Sequence, residues 1–477
     1  MTAQRTITWK TSRRRFLFST TGLAMLGYMD GRSLAQKSSV AGIAPKQHRQ
    51  IIDGFGFSEA FHQARTLQSF SDKDQNDILN LLFSPQSGMG FSILRNIIGD
   101  GSATTSTNNG VTESIEPTAG VFNWTGDEDQ IWIMNEAKKR GCNRFMSTCW
   151  SPPAWMKTNN NTYDGELKPG MYQQFADYLA TYVTEYKSRY GLDIYAISPA
   201  NEPNYTPSLH YASCRWSAAQ LRKFLHENLI PTFAAKNITA EIVIDEHEHW
   251  TDEFINDILS DKACKQAINI VASHAYAPTT APYIDINARV RPRFDAAETA
   301  GKRIWQTEVS AGDKQITNMN DGVYWARVMH QAMIEDDLSA WLYWWGAAVT
   351  DQRSSLIALD AKNKTYQLTK RLFTIGQFSR FIRPGYYRVD AKPDPAPNVY
   401  FSAYIDPSGK RLVCVAINDD AVAHPLTLQC GDMAVNSCIA VRTSDTEVHA
   451  RQPPIKPVNG QVDVVTTPLS VTTFLIS

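Results

Sequence analysis

From residue 51 to about 381 the chain alternates short β-prone apolar runs with longer amphipathic stretches. The apolar runs at 51–57, 91–97, 144–148, 194–199, 241–245, 269–274, 303–308 and 340–345 lack period-two polarity, the pattern of parallel strands buried on both faces. Stretches such as 130–139, 172–190 and 218–229 repeat apolar residues at helical spacing. Eight strands, the crossovers between them and a closing helix at 368–381 predict an α/β fold of the (β/α)8 TIM barrel type. No Gly-x-Gly-x-x-Gly turn follows the first run, which counts against an open dinucleotide-binding sheet.

After Arg383-Pro384-Gly385 the texture changes. Alternating runs at 399–404, 412–417 and 471–476, separated by turn signals such as Asp406-Pro407-Ser408-Gly409, predict an antiparallel β-sandwich completed by residues just before Ile51. The expected organisation is a leader at 1–36, a barrel at 51–382, and a side domain made of 37–50 plus 383–477.

Two of the predicted strands end in glutamate: Ser198-Pro199-Ala200-Asn201-Glu202-Pro203 and Ile304-Trp305-Gln306-Thr307-Glu308-Val309-Ser310. Barrels of this type place their chemistry at the C-terminal ends of the strands. A pair of carboxylates there can cleave a glycosidic bond, one protonating the leaving oxygen while the other attacks the anomeric carbon. On this reading Glu202 is general acid and then general base, Glu308 is the nucleophile, and Asn201 hydrogen-bonds a sugar hydroxyl beside the reacting carbon. Arg95, near the end of the second strand, is placed to keep Glu308 ionised; a structural ion pair is its other reading. Trp150-Ser151-Pro152-Pro153-Ala154-Trp155-Met156-Lys157-Thr158-Asn159 follows the third strand, and its two prolines stiffen a turn that would present Trp155 as a wall for the sugar.

With that stretch the chain resembles glycoside hydrolase family 30, of the xylanase and glucuronoxylanase kind. The supporting segments are Gly54-Phe55-Gly56-Phe57-Ser58-Glu59-Ala60-Phe61, the Ser151-to-Asn159 run, the two glutamate motifs and Asn398-Val399-Tyr400-Phe401-Ser402-Ala403-Tyr404. The resemblance implies a retaining endo-acting hydrolase of β-1,4-xylan or glucuronoxylan, with Glu202 as acid/base and Glu308 as nucleophile. It also implies Tyr276 beside the nucleophile and Trp344 or Trp345 as the aromatic floor. His274 is either part of the site or a core histidine. His62, Arg65 and Arg353 are the candidates to bind a uronate carboxylate, although Gln63 stands where that recognition would place a basic residue. Other β-glycans (β-1,6-glucan, β-glucoside, β-1,6-galactan) and a silent carbohydrate-binding protein are the alternatives.

Composition narrows the partners. Formal net charge is −1 with no basic cluster beyond the N-terminus, so a nucleic-acid partner is not expected. The 12 Trp and 19 Tyr exceed what a core needs and suit stacking on sugar rings; the expected partner is a polysaccharide or oligosaccharide. Ser12-Arg13-Arg14-Arg15-Phe16-Leu17-Phe18, a short apolar stretch and Ser33-Leu34-Ala35 read as a twin-arginine-type signal, implying a secreted or periplasmic protein with no membrane anchor in the mature chain; a monomer is expected. Seven scattered cysteines contain no Cys-x-x-Cys spacing. Asp245-Glu246-His247-Glu248-His249-Trp250 lacks the His-Glu-x-x-His spacing of a zinc helix. It is expected to line the cleft, with Trp250 or His249 touching sugar, and neither metal nor cofactor is expected.

Overall fold

The computed structural model describes residues 38–103, 110–205, 211–276, 293–310, 318–349 and 354–477. The leader at 1–36 and Arg353 lie outside the described residues. Eight parallel strands form the barrel: Gly54–Ser58, Ile93–Ile98, Arg144–Cys149, Ile194–Ser198, Glu241–His249, Ile270–Tyr276, Arg303–Glu308 and Ala340–Ala348. Each pairs with the next, and the eighth closes on the first with Ala340 opposite Gly54 and Trp341 opposite Phe55. The strands are almost wholly buried, which is why their sequences read as continuous apolar runs.

The interior is packed by Ile93, Met146, Ala196, Val243, Ile270, Trp305 and Leu342. Its lower end is tied by Asp53, which accepts from Arg303 Nη1 at 3.1 Å and Trp305 Nε1 at 2.8 Å and bonds Arg144 through its carbonyl. The upper end is less regular. Pairing slips between Gln306 and Glu308, twice between Asp245 and His249, and between Tyr343 and Trp345. Bulges re-aim side chains, and these four fall where the candidate chemistry lies. They also explain why the fifth and eighth strands outrun the lengths read from sequence: the polar segment after Asp245 goes on pairing instead of leaving as a loop. A hairpin absent from the sequence reading, Ser355–Asp360 with Thr365–Leu368, extends the sheet beyond the eighth strand before the closing helix Lys370–Ser379.

The side domain is a nine-stranded curled sheet, antiparallel but for one pairing. Its first strand, Ser39–Ile51, is shared: Ser39 to Gly42 run parallel to His424–Gln429, and Ile43 to Ile51 pair antiparallel with Tyr387–Ala391. The two layers therefore remain one hydrogen-bonded sheet around Phe401, Leu412, Leu426, Val462 and Phe474. Helix Met319–Glu335 joins it to the barrel, with Arg327 paired to Asp419 and stacked 4.4 Å over Tyr400. No described helix is long and apolar enough to cross a membrane.

Candidate active site

Arg95 organises the upper end of the barrel. Its guanidinium is fully buried, lies 4.4 Å over the Trp150 ring, and donates to Thr148 Oγ1 at 3.2 Å, Glu308 Oε2 at 2.7 Å and Asn201 Oδ1 at 2.6 Å. Its Nη2 also lies 3.3 Å from Glu246 Oε1. A planar fork of five donors suits this spread of acceptors from four strand ends; a single ammonium would not.

Glu308 receives a second donor from the far side, the Tyr276 hydroxyl at 3.0 Å from Oε1. Glu202 is held differently. Its backbone is in the left-handed region at φ 46°, a conformation that costs a non-glycine residue free energy, and its N–H donates to the Glu246 carbonyl at 2.9 Å. Its side chain accepts from the Tyr211 hydroxyl, while His274 Nδ1 lies 3.0 Å from Oε1. Oxygens of Glu202 and Glu308 approach within 4.8 Å.

Burial alone would strip charge from this array. It lowers the proton affinity of His274, yet the Glu308 charge, the bond to Glu202 and the nearby Glu246 carboxylate outweigh it and raise the imidazole pKa to about 9. Burial pushes Glu246 upward, but Arg95, His274 and Ser198 win and hold it at about 2. Glu308 is lifted by burial and by the Glu202 charge, with His274 and Arg95 pulling the other way. Burial and the adjoining carboxylates push Tyr211 and Tyr276 up, so both stay phenols and donate.

The cleft above the pair holds about 440 Å³ and is lined by Phe61, Trp150, Tyr205, Tyr211, Glu248, Tyr276, Trp344 and Trp345 together with both glutamates. Trp344 stacks on Trp345 at 4.9 Å and lies 6.1 Å from Trp150. Of the residues expected from sequence, Glu202, Glu308, Asn201, Arg95, Tyr276, His274, Trp344 and Trp345 thus come together.

Three do not. Trp155 donates its indole N–H to the Glu116 carbonyl at 3.0 Å and lines a neighbouring depression with Asp100 and Glu113. The indole on the cleft is Trp150, five residues earlier, because the first position past the strand still points over the barrel mouth. Trp250 is buried in a stack with Phe294 at 4.6 Å, and His249 pairs with Glu248 at 3.1 Å. Arg65 donates to the Gly126 carbonyl and lies 3.5 Å from Asp129, which also binds His62 at 2.7 Å. The first-strand loop thereby spends its cations on an internal acid. Tyr211, Glu246 and Thr148 were not legible as site residues; only the run around Glu246 gave any signal.

Among the described residues two groups have donor spacing that would suit a cation, Glu202–His274–Glu308 and His62–Asp127–Asp129. Arg95 and a protonated His274 already supply the positive charge in the first, and Arg65 stands beside the second.

A parallel barrel with two close carboxylates at its C-terminal rim, set among indoles, has the architecture of glycoside-cleaving barrels. The chain belongs to O-glycosyl hydrolase family 30, which it matches over residues 38–357. It is 30% identical over 301 residues to a glucuronoxylanase of Bacillus subtilis (strain 168), covering 61% of this chain and 63% of that one. The match therefore spans under two thirds of that relative. It is 25% identical over 367 residues to an endo-1,6-β-D-glucanase of Aspergillus fumigatus, covering 71% and 72% of the two chains. The structure of the catalytic domain of xylanase C from Talaromyces cellulolyticus superposes with a TM-score of 0.77 at 28% identity, covering 92% of this chain and all of that one.

Proposed function

We propose that the protein is an endo-acting retaining hydrolase of β-1,4-xylan or glucuronoxylan. The observation that carries this is that one oxygen of Glu202 and one of Glu308 lie no more than 4.8 Å apart, with Arg95 and Tyr276 both donating to Glu308. Retaining pairs stand about 5–5.5 Å apart, and inverting pairs need roughly 6.5–9.5 Å to admit a water.

In the first step a Glu308 oxygen bonds to the anomeric carbon as the glycosidic C–O bond breaks, and Glu202 gives its proton to the departing oxygen. In the second, Glu202 takes a proton from water, the hydroxide adds to the same carbon, and Glu308 leaves as carboxylate. Asn201 Oδ1 is committed to Arg95, which leaves its amide N–H groups to donate to the sugar hydroxyl beside the reacting carbon. Trp150, Trp344 and Trp345 give the ring apolar faces to rest on.

Xylan is favoured by the names of the glucuronoxylanase and xylanase relatives; the β-1,6-glucanase supports another β-glycan as the alternative. Export of a monomer through the twin-arginine-type leader belongs to the same proposal. Digestion of glucuronoxylan, linear xylan and β-1,6-glucan side by side, with products read by mass spectrometry, tests it. Fragments from either xylan support the reading; cleavage of β-1,6-glucan alone moves the substrate, and no cleavage of any favours a binding protein.

A further inference from the structure

The fifth barrel strand, Glu241–His249, carries the acid- and histidine-rich run past the point where such strands usually stop. Its pairing with the sixth strand slips on both sides of His247. Asp245 and Glu246 both take positive φ, 85° and 45°. Two consecutive non-glycine residues in that region are costly and persist where the surroundings hold them. The twist separates the run into two sets. Asp245 and His247 pair behind the strand at 2.7 Å, with the His247 ring edge-on to Phe254 at 4.3 Å. Glu248 reaches the cleft wall, and Glu246 turns under the catalytic pair.

Glu246 is fully buried. Thr148 Oγ1 donates to its Oε2 at 3.1 Å, Arg95 Nη2 lies 3.3 Å from Oε1, and His274 Nε2 lies 3.7 Å from the same oxygen. Its backbone carbonyl accepts the Glu202 N–H at 2.9 Å. One residue thus touches both cations of the site and the backbone of the acid, yet lies beneath the carboxylates and not on the cleft.

We propose that Glu246 is a positioning residue of the reaction: a third carboxylate that holds Arg95 and His274 in place beneath the Glu202–Glu308 pair and supplies the negative charge both cations face. The inference rests on the two-glutamate reading of the site. The titratable and charged groups facing Glu246 are Arg95, Glu202, His274 and Glu308, with Tyr211 and Tyr276 bonded to the two glutamates and the Thr148 hydroxyl donating to Glu246 itself. A negative charge at Glu246 strengthens the hold of His274 on its proton, and its removal weakens that hold, so the imidazole titrates at lower pH.

The test is the imidazole NMR titration of His274 in the free enzyme, assigned by its loss in His274→Gln, for the parent protein, Glu246→Gln and Glu246→Asp. The parent His274 is expected to titrate near pH 9. In Glu246→Gln it falls by about one unit or more. In Glu246→Asp, where the charge is kept but drawn back by one methylene, it falls by less. On a cleaved β-glycan the alkaline limb of kcat/KM moves the same way, and kcat in Glu246→Gln drops about 10²-fold. An unmoved His274 titration overturns the proposal, and should Glu246→Gln not fold, an unmoved titration in Glu246→Asp does so. Because the titration needs no substrate, its outcome is separate from that of the glycosidase reading, which fails on absence of turnover by the parent protein.

Discussion

His274 Nδ1 lies 3.0 Å from Oε1 of Glu202, and the imidazole is fully buried. A buried histidine would ordinarily be neutral; this one is cationic because it also faces Glu246 and Glu308, at 3.7 and 3.9 Å.

That charge has a consequence for stability. The folded pKa of about 9 lies above the ordinary 6.5, so the folded state binds the proton more tightly than the unfolded one. The stabilisation, on the order of a few kcal/mol, is complete below about pH 6.5 and is lost as pH rises through about 9. Thermal unfolding of the parent and of His274→Gln is expected to converge between these values. A difference in midpoint that is independent of pH from 6 to 10 would contradict it.

Glu202→Gln is expected to lose about 10²–10⁴-fold in kcat on natural glycans but much less on aryl glycosides whose leaving group needs no proton. Glu308→Gln loses turnover on both, since no covalent intermediate forms without its carboxylate. Steady-state kinetics on the two substrate kinds would separate the roles; equal losses in Glu202→Gln would count against it as the acid.

Trp150 and Trp155 are expected to behave oppositely. Trp155→Phe removes one hydrogen bond to the Glu116 carbonyl, costing about 1 kcal/mol of stability, with kcat/KM nearly unchanged. Trp150→Leu removes a ring from the cleft and the surface under Arg95, so kcat/KM falls while the fold survives. Denaturant unfolding combined with kinetics on a short oligosaccharide checks both.

Arg95→Lys keeps the charge and loses the fork. One ammonium cannot reach Thr148, Asn201, Glu246 and Glu308 together, so at least one buried acceptor is left without its donor, at about 1–3 kcal/mol. A lowered thermal midpoint together with a large loss of kcat is expected. A variant of parental stability and activity would mean that Arg95 contributes only its charge.

The barrel was legible because buried parallel strands write themselves as apolar runs, and a glutamate ending such a run stands out. Glu202 and Glu308 were found that way, and the register slip before Glu308 did not hide it. The prolines mark a rigid turn at Trp155, whereas which indole faces the mouth depends on where the strand ends. The twist at Asp245 and Glu246 has no glycine to announce it. Tyr211 reaches Glu202 from the loop nine residues on, and nothing in its local sequence marks that contact. His62 and Arg65 looked available for a uronate because their acid, Asp129, is more than sixty residues away in the chain.

The most direct test of the account is the configuration of the first product. Cleavage of linear xylo-oligosaccharides followed by proton NMR, faster than mutarotation, shows which anomer is released. The double displacement by Glu308 and Glu202 predicts the β-anomer first. Initial release of the α-anomer, or no turnover of any β-glycan by the parent protein, would contradict it.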